Sequence, residues 1–176
     1  IKIGKESELL WILEHPTVYT AGIRSKKDEV LDNKIKVLKT NRGGKITIHN
    51  PGQKIIYFAI NLNKRKKDIR NLITKIEKSI IEFLHLYNVK SYADRKNIGI
   101  WVKKKKIAAI GIKVTKWIAY HGCSININND LTEYMKIKPC GLNNEEITSL
   151  FNETKIKIKE VNKNLKEIFY KNINNI

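Results

Sequence analysis

The five-residue apolar run from Leu9 to Leu13 predicts a buried strand, broken by His15-Pro16. Val18-Tyr19-Thr20-Ala21-Gly22 then leads into a loop, and the polar stretch from Asp28 to Lys34 is expected at the surface. Ile35 to Thr40 predicts a short strand. Arg42-Gly43-Gly44 follows as a flexible turn, and Ile46-Thr47-Ile48-His49 alternates with period two. After Pro51-Gly52, Ile55 to Leu62 reads as a largely apolar strand. Ile69, Leu72, Ile73, Ile76, Ile80, Phe83, Leu84 and Tyr87 then recur at steps of three and four, so Asp68 to Tyr87 is predicted to be an amphipathic helix. Ile98 to Val102 and Ile107 to Val114 predict a hairpin joined by the lysine run Lys103 to Lys106. Ile118 to Ile127 is a further strand, interrupted at His121-Gly122. Asp130 to Met135 is a short helical turn, and Pro139-Cys140-Gly141 lies in a loop. Val161, Leu165, Ile168, Phe169 and Ile173 mark a closing helix. Strands in the middle with helices between and after them predict an α+β fold, one mixed sheet with flanking helices.

Composition narrows the class. The chain has 176 residues, room for one ordinary domain with a substantial core. No apolar run approaches the ~20 residues of a membrane span, and no secretion signal is visible. The chain starts at Ile1, so an N-terminal segment is expected to be missing. Two cysteines, Cys123 and Cys140, are too few for a disulfide framework and suit a reducing, cytoplasmic setting. The net charge of +18 attracts polyanions, whether nucleic acid, an acidic membrane face or an acidic protein. Only five of the 35 basic residues are arginine, the preferred tool for phosphate and base edges, which weakens the nucleic-acid reading. Lys, Ile and Asn fill about 45% of the chain, so the charge also reads as a coding skew spread over the surface.

Cys140 is the most suggestive position for chemistry, because Pro139 fixes the chain before it and Gly141 leaves one side open. A buried structural cysteine fits the same residues. A thiol with an ordinary pKa needs a neighbouring cation or base. His49, His121 and any of thirty lysines qualify. Lys106 differs in opening the apolar strand Ile107-Ala108-Ala109-Ile110-Gly111, where partial desolvation would make it a usable base, though the residues alone favour a solvated hairpin turn over Lys103 to Lys106. Arg42-Gly43-Gly44 offers backbone N–H groups to a carbonyl or carboxylate. No zinc-ligand spacing, Walker A loop or G-x-G-x-x-G pattern occurs, so no metal and no nucleotide loop is expected.

Four blocks together resemble the octanoyltransferase (lipoyl transferase) family: Glu14 to Gly22, Arg42 to Gln53, Lys106 to Gly111 with His121-Gly122 and Asn126, and Pro139-Cys140-Gly141. The resemblance runs from Glu14 to about Leu150. Asn50 departs from the family's usual glycine, and the helical segment the family carries before its first block is absent. The resemblance implies a biotin/lipoate protein ligase-like fold, with residues 1–176 forming a single catalytic domain. It implies transfer of an octanoyl or lipoyl group from acyl carrier protein to a lysine of lipoate-dependent enzymes, through a thioester on Cys140. The resemblance also implies Lys106 as its partner, because the family's catalytic lysine and cysteine keep the separation found between Lys106 and Cys140. Arg42, Gly43, Gly44, Lys45, Ile46, Thr47, Ile48, His49, Ala109, Ile110, Gly111, Gly122, Cys123 and Ser124 are implied to line the substrate pocket, with Cys123 as wall and not nucleophile. Backbone N–H groups near Gly111 or Gly141 are implied oxyanion donors, and Lys106 or His49 receives the acceptor's proton. Expected acceptors are the lipoyl domains of 2-oxoacid dehydrogenases and the glycine cleavage H protein. No cofactor, nucleic acid or membrane is expected. The rival readings are an ATP-dependent lipoate ligase of the same fold and a basic nucleic-acid-binding module.

Overall fold

A computed structural model describes residues 8–94, 96–139, 146–156 and 158–174. Six strands form one antiparallel sheet: β1 (Leu9–Leu13), β5 (Gln53–Asn61), β6 (Tyr92–Ala93), β7 (Ile100–Val102), β8 (Lys105–Thr115) and β9 (Ile118–Asn126), in the spatial order β1-β5-β9-β8-β7-β6. A second sheet of three strands, ordered β3-β2-β4, holds β2 (Val18–Ala21), β3 (Val37–Lys39) and β4 (Ile46–His49), with β2 parallel to β3 and antiparallel to β4. The α+β class with flanking helices holds, but the strands divide between two sheets where one was expected.

Helix α1 (Ile69–His85) begins at Asp68, whose side chain accepts from the Asn71 N–H at 3.0 Å. Its chain reverses at Asn88, which takes φ of +59°, a conformation asparagine tolerates. The three- and four-residue spacing puts Leu72, Ile76, Ile80, Phe83 and Leu84 on one buried stripe. That stripe packs with Leu165, Phe169 and Ile173 of α3 (Val161–Asn174) against Ile56, Phe58 and Ile60 of β5. Each fully buried side chain of this kind contributes about 1.5–3 kcal/mol, so this layer is the main source of stability. A smaller core of Tyr19, Ile46, Ile48, Tyr134, Ile137 and Ile147 binds the three-stranded sheet to the 3-10 turn Thr132–Lys136. Helix α2 (Leu150–Thr154), capped by Ser149, lacks a periodic signal at five residues and is not legible in the pattern.

Three expectations need correction. Strand β1 is an edge strand, not a buried one: Leu10 and Ile12 pack on the core while Leu9 and Trp11 lie exposed, as the two-residue period dictates. Strand β9 is not interrupted: its ladder runs unbroken through His121, paired with Phe58 and Ile112, although His121 takes φ of +69°. Val18 to Ala21 is the central strand of the small sheet, not a lead into a loop.

Candidate active site

The two sheets enclose a cavity of about 610 Å³, within the usual range for a small-molecule site. Its floor comes from Ile55 and Tyr57 of β5, Gly122 and Ser124 of β9, and Ala109 and Gly111 of β8. These are ladder partners (Ile55 with Ser124 with Ala109, Tyr57 with Gly122 with Gly111) and so share one face of the sheet. The roof comes from β2, β4 and the Arg42–Gly44 turn.

Arg42 builds that turn. Its guanidinium donates to the Thr20 carbonyl at 2.7 Å, to Thr20 Oγ1 at 3.0 Å and to the Gly43 carbonyl at 3.0 Å. The loop then presses on β8 so closely that a Cβ at Gly43 would lie 2.7 Å from the Ile112 carbonyl oxygen. Strand alternation sorts the residues of β4: Thr47 and His49 line the cavity, as does Lys45 just ahead of the strand. Ile46 and Ile48, expected to line it too, point into the small core at 1% and 0% exposure. Ile110 and Cys123 touch the cavity, but their side chains belong to the core behind the sheet. Burial there pushes the Cys123 thiol upward, away from the reactive thiolate.

Lys106 is the least expected feature in physical terms. Its residue is 6% exposed, and its Nζ lies in the cavity wall, donating to the Ile98 carbonyl at 2.9 Å and sitting 5.6 Å from the Trp101 ring centroid. The turn of the hairpin is Lys103-Lys104, so Lys106 already lies inside β8. Simple alternation from Ala109 would send Lys106 to the far face. Instead Ile100 pairs with Ala108 and Trp101 with Lys106, leaving Ile107 over as a one-residue bulge that re-aims the lysine. Gly99 makes room for it: at φ of +147°, a Cβ there would stand 2.4 Å from Lys106 Cε. The Trp101 indole N–H donates to the Asn97 carbonyl at 3.0 Å and holds this loop in place.

Cys140 and Gly141 lie outside the described residues, but both flanks of the stretch 140–145 meet Lys106. Pro139 shares a small crevice with Lys106, Thr47, Ser124 and Asn126. Ile147 forms a parallel bridge with Lys106, and the Thr148 N–H donates to the Lys106 carbonyl at 3.0 Å.

Three histidines line the same cavity. His15 Nε2 bonds the Tyr57 hydroxyl at 2.9 Å, and the His15 and His49 rings lie 6.0 Å apart. His49 Nδ1 bonds Gln53 Oε1 at 2.7 Å. Burial, followed by Arg42 and His15, pulls His49 down to about 4 against the opposing effect of Gln53, so the ring is neutral at physiological pH. His121 Nε2 bonds Asn41 Oδ1 at 2.7 Å; burial, then Arg42 and Lys113, lowers it. The cationic lining residues are Arg24, Arg42, Lys45, Lys96 and Lys106, and no Asp or Glu lines the cavity among the described residues. Lys45 pairs with buried Glu29 at 3.3 Å behind the wall. No cluster of three or more metal-ligating side chains occurs among the described residues.

Sequence reasoning missed Ile98, Gly99, Trp101, His15 and Tyr57. Only His15-Pro16 carried a signal, as part of the first block of the resemblance.

Residues 1–170 match the model of the lipoyl protein ligase A/B catalytic domain. The chain belongs to this family. Among curated relatives within it, the octanoyltransferase of Wolbachia pipientis wMel is 44% identical over 93% of this chain and 83% of its own length. That of Ehrlichia chaffeensis is 48% identical over 84% and 72%. Solved structures share the fold at much lower identity. A lipoate-protein ligase A bound with ATP superposes with a TM-score of 0.80, at 15% identity, over 97% of this chain and 74% of that one. A bipartite lipoate protein ligase of Thermoplasma acidophilum, studied with its E2 lipoyl domain, gives 0.78 at 15% over 97% and 72%. The biotin/lipoate ligase fold expected from the sequence is therefore the fold of this lipoyl ligase A/B family member. No helix among the described residues is long and apolar enough to cross a membrane.

Proposed function

We propose that residues 1–176 act as one catalytic domain carrying an octanoyl group from acyl carrier protein to a lysine of a lipoyl domain, through a thioester on Cys140. The chain is an acyltransferase of the lipoyl ligase A/B family, whose curated relatives at 41–48% identity are named octanoyltransferases. The observation that carries the cysteine route is the buried Lys106 Nζ in the cavity wall, with Pro139, one peptide bond before Cys140, in the crevice beside it.

In the resting pair the Lys106 ammonium stabilises the Cys140 thiolate. Sulfur attacks the donor thioester, the new C–S bond forms and the old one breaks, and the carrier's thiolate takes a proton from Lys106. Lys106 is then neutral. The acceptor ammonium sheds one proton to solvent on entering a cavity lined by cations, since like charge disfavours its charged form. The neutral amine attacks the acyl carbon, its N–H proton passes to Lys106, and Cys140 leaves as thiolate, which restores the pair. The oxyanion falls to backbone N–H groups near Gly111 or Gly141. Strand β7 pairs with β8 only as far as Ala108, and the Arg42–Gly44 turn meets the same strand at Gly111 and Ile112.

The acyl chain lies on the floor formed by Ile55, Ala109 and Gly111 under the Arg42–Gly44 turn. At about 0.8 kcal/mol per buried CH₂, cavity depth sets chain length. The cationic rim and the charge of +18 favour acidic partners, both the carrier and acceptors such as 2-oxoacid dehydrogenase lipoyl domains and the glycine cleavage H protein. A cytoplasmic setting belongs to the same reading. The decisive experiment is nucleotide dependence: octanoyl carrier protein must serve as donor without ATP, and a strict ATP requirement would assign the chain to ligase chemistry instead.

A further inference from the structure

A chain of side chains runs from the main chain near Lys106 to the cavity, and its polarity is set at one end. The Thr148 carbonyl can only accept, so the Asn126 atom facing it at 3.0 Å is Nδ2. Asn126 therefore turns Oδ1 toward Gln53, and Gln53 Nε2 donates to it at 2.8 Å and to the Tyr134 hydroxyl at 2.9 Å. Gln53 is then left with Oε1 toward His49, and an acceptor there requires a proton on His49 Nδ1. Gln53 is 0% exposed and Asn126 and Tyr134 are each 5% exposed, so water does not compete for these groups. His49 Nε2, on the other side of the ring, has no hydrogen-bond partner among the described residues, and the ring lines the cavity. Thr47, the next residue on the same face of β4, touches the crevice that holds Lys106 and Pro139.

We propose that Asn126 and Gln53 are positioning residues that fix His49 as its Nδ1–H tautomer, so that the bare Nε2 accepts a hydrogen bond from the attacking amine in the second half-reaction. This rests on the acyl-transfer reading above and adds a role to it. The amine nitrogen carries two hydrogens. One goes to His49 Nε2 as a hydrogen bond, the other to Lys106 as the proton transferred when the C–N bond forms and the C–S bond breaks. With both hydrogens held, the nitrogen lone pair faces the acyl carbon. His49 orients and does not take the proton, because a buried neutral imidazole beside Arg42 and His15 is a poor proton sink but an unimpaired acceptor. The relay has no part in the first half-reaction, where no amine is present.

The test has two measurements. Long-range proton–nitrogen correlation NMR on histidine-labelled wild-type protein reads the ring directly, with the His49 signals assigned by their loss in His49→Gln. The expected result at pH 7 is a protonated Nδ1 and a bare Nε2; an Nε2–H tautomer or an imidazolium overturns the proposal. Rapid-quench kinetics then compares acylation of Cys140 by octanoyl carrier protein with transfer from the acyl-enzyme to an unmodified lipoyl domain. In Gln53→Met the ratio of transfer to acylation should fall about tenfold, the worth of one well-placed hydrogen bond, with the loss in kcat rather than KM. Gln53→Glu keeps an acceptor oxygen toward His49, but its second oxygen takes the place of the Nε2 that donates to Asn126 Oδ1, so at this fully buried position the carboxyl keeps its proton and donates it to Asn126 Oδ1. Transfer should therefore recover toward the wild-type ratio in Gln53→Glu, and a loss as large as in Gln53→Met overturns the proposal. An unchanged ratio in Gln53→Met overturns the proposal. If that variant does not fold, the wild-type tautomer decides alone. Failure of wild-type Cys140 to take up any acyl group sinks the acyl-transfer reading, a result separate from the NMR outcome.

Discussion

Gly99→Ala is the sharpest test of how Lys106 is held. The added Cβ would lie 2.4 Å from Lys106 Cε and 2.6 Å from the Ala108 carbonyl oxygen, at φ of +147°. The backbone oxygen is fixed in the sheet, so the lysine side chain must give way. Placing alanine at this φ costs about 1–3 kcal/mol, and the overpacking costs about as much again. The expected loss of stability is about 2–6 kcal/mol, a fall in the thermal midpoint of about 5–16 °C for a chain of this size. Displacing Nζ also breaks its bond to the Ile98 carbonyl and removes it from the position in which the proposed mechanism has it stabilise the thiolate. Steady-state transfer should therefore drop by at least about a hundredfold at temperatures where circular dichroism shows the variant folded. The double variant Gly99→Ala, Lys106→Ala should lose no more activity than Lys106→Ala alone, because both remove one function. Activity within a few-fold of wild type in Gly99→Ala, or additive losses in the double variant, refutes the reasoning.

Cys123→Ala should retain the acyl adduct and most of the activity, because the Cys123 thiol is buried and held above its usual pKa; peptide mapping after a thiol reagent should find native protein labelled at Cys140 and not at Cys123. Ile48→Ala should cost about 2–5 kcal/mol in denaturant unfolding without changing acyl-length preference, since Ile48 points away from the cavity. Thr47→Leu, on the cavity face of the same strand, should shift preference toward shorter chains in a competition assay. His49 takes its proton only near pH 4 when folded, against 6.5 when unfolded. The unfolded chain therefore binds the extra proton between these values, and stability falls as pH drops through that window, by up to about 3 kcal/mol. His49→Gln should flatten that part of the pH–stability curve measured by urea unfolding.

Much of the frame could be read from the chain because local pattern and tertiary role agree. Helix α1 follows from eight apolar residues at helical spacing with Asp68 ahead of them. Strands β4 and β5 follow from alternation and β-branched content. Edge strand β1 was misjudged because five apolar residues in a row look alike whether one face or both are covered. The alternation of β4 carries the signal that Ile46 and Ile48 face away from Thr47 and His49, a distinction that a contiguous motif does not make. The burial of Lys106 depends on a bulge at Ile107 and a side-chain slot over Gly99, and both come into being only when β7 and β8 pair. A lysine following three others gives no local sign of that. Gln53 and Asn126 lie 73 positions apart and acquire a common purpose only through adjacent strands.

The most direct measurement is peptide-level mass spectrometry of the protein mixed with octanoyl carrier protein in the absence of nucleotide, followed by a chase with unmodified lipoyl domain. The account predicts one octanoyl group on Cys140, none in Cys140→Ala, and its passage to the lipoyl-domain lysine during the chase. An acyl group found on any other residue, or an adduct on Cys140 that the chase leaves in place, contradicts it.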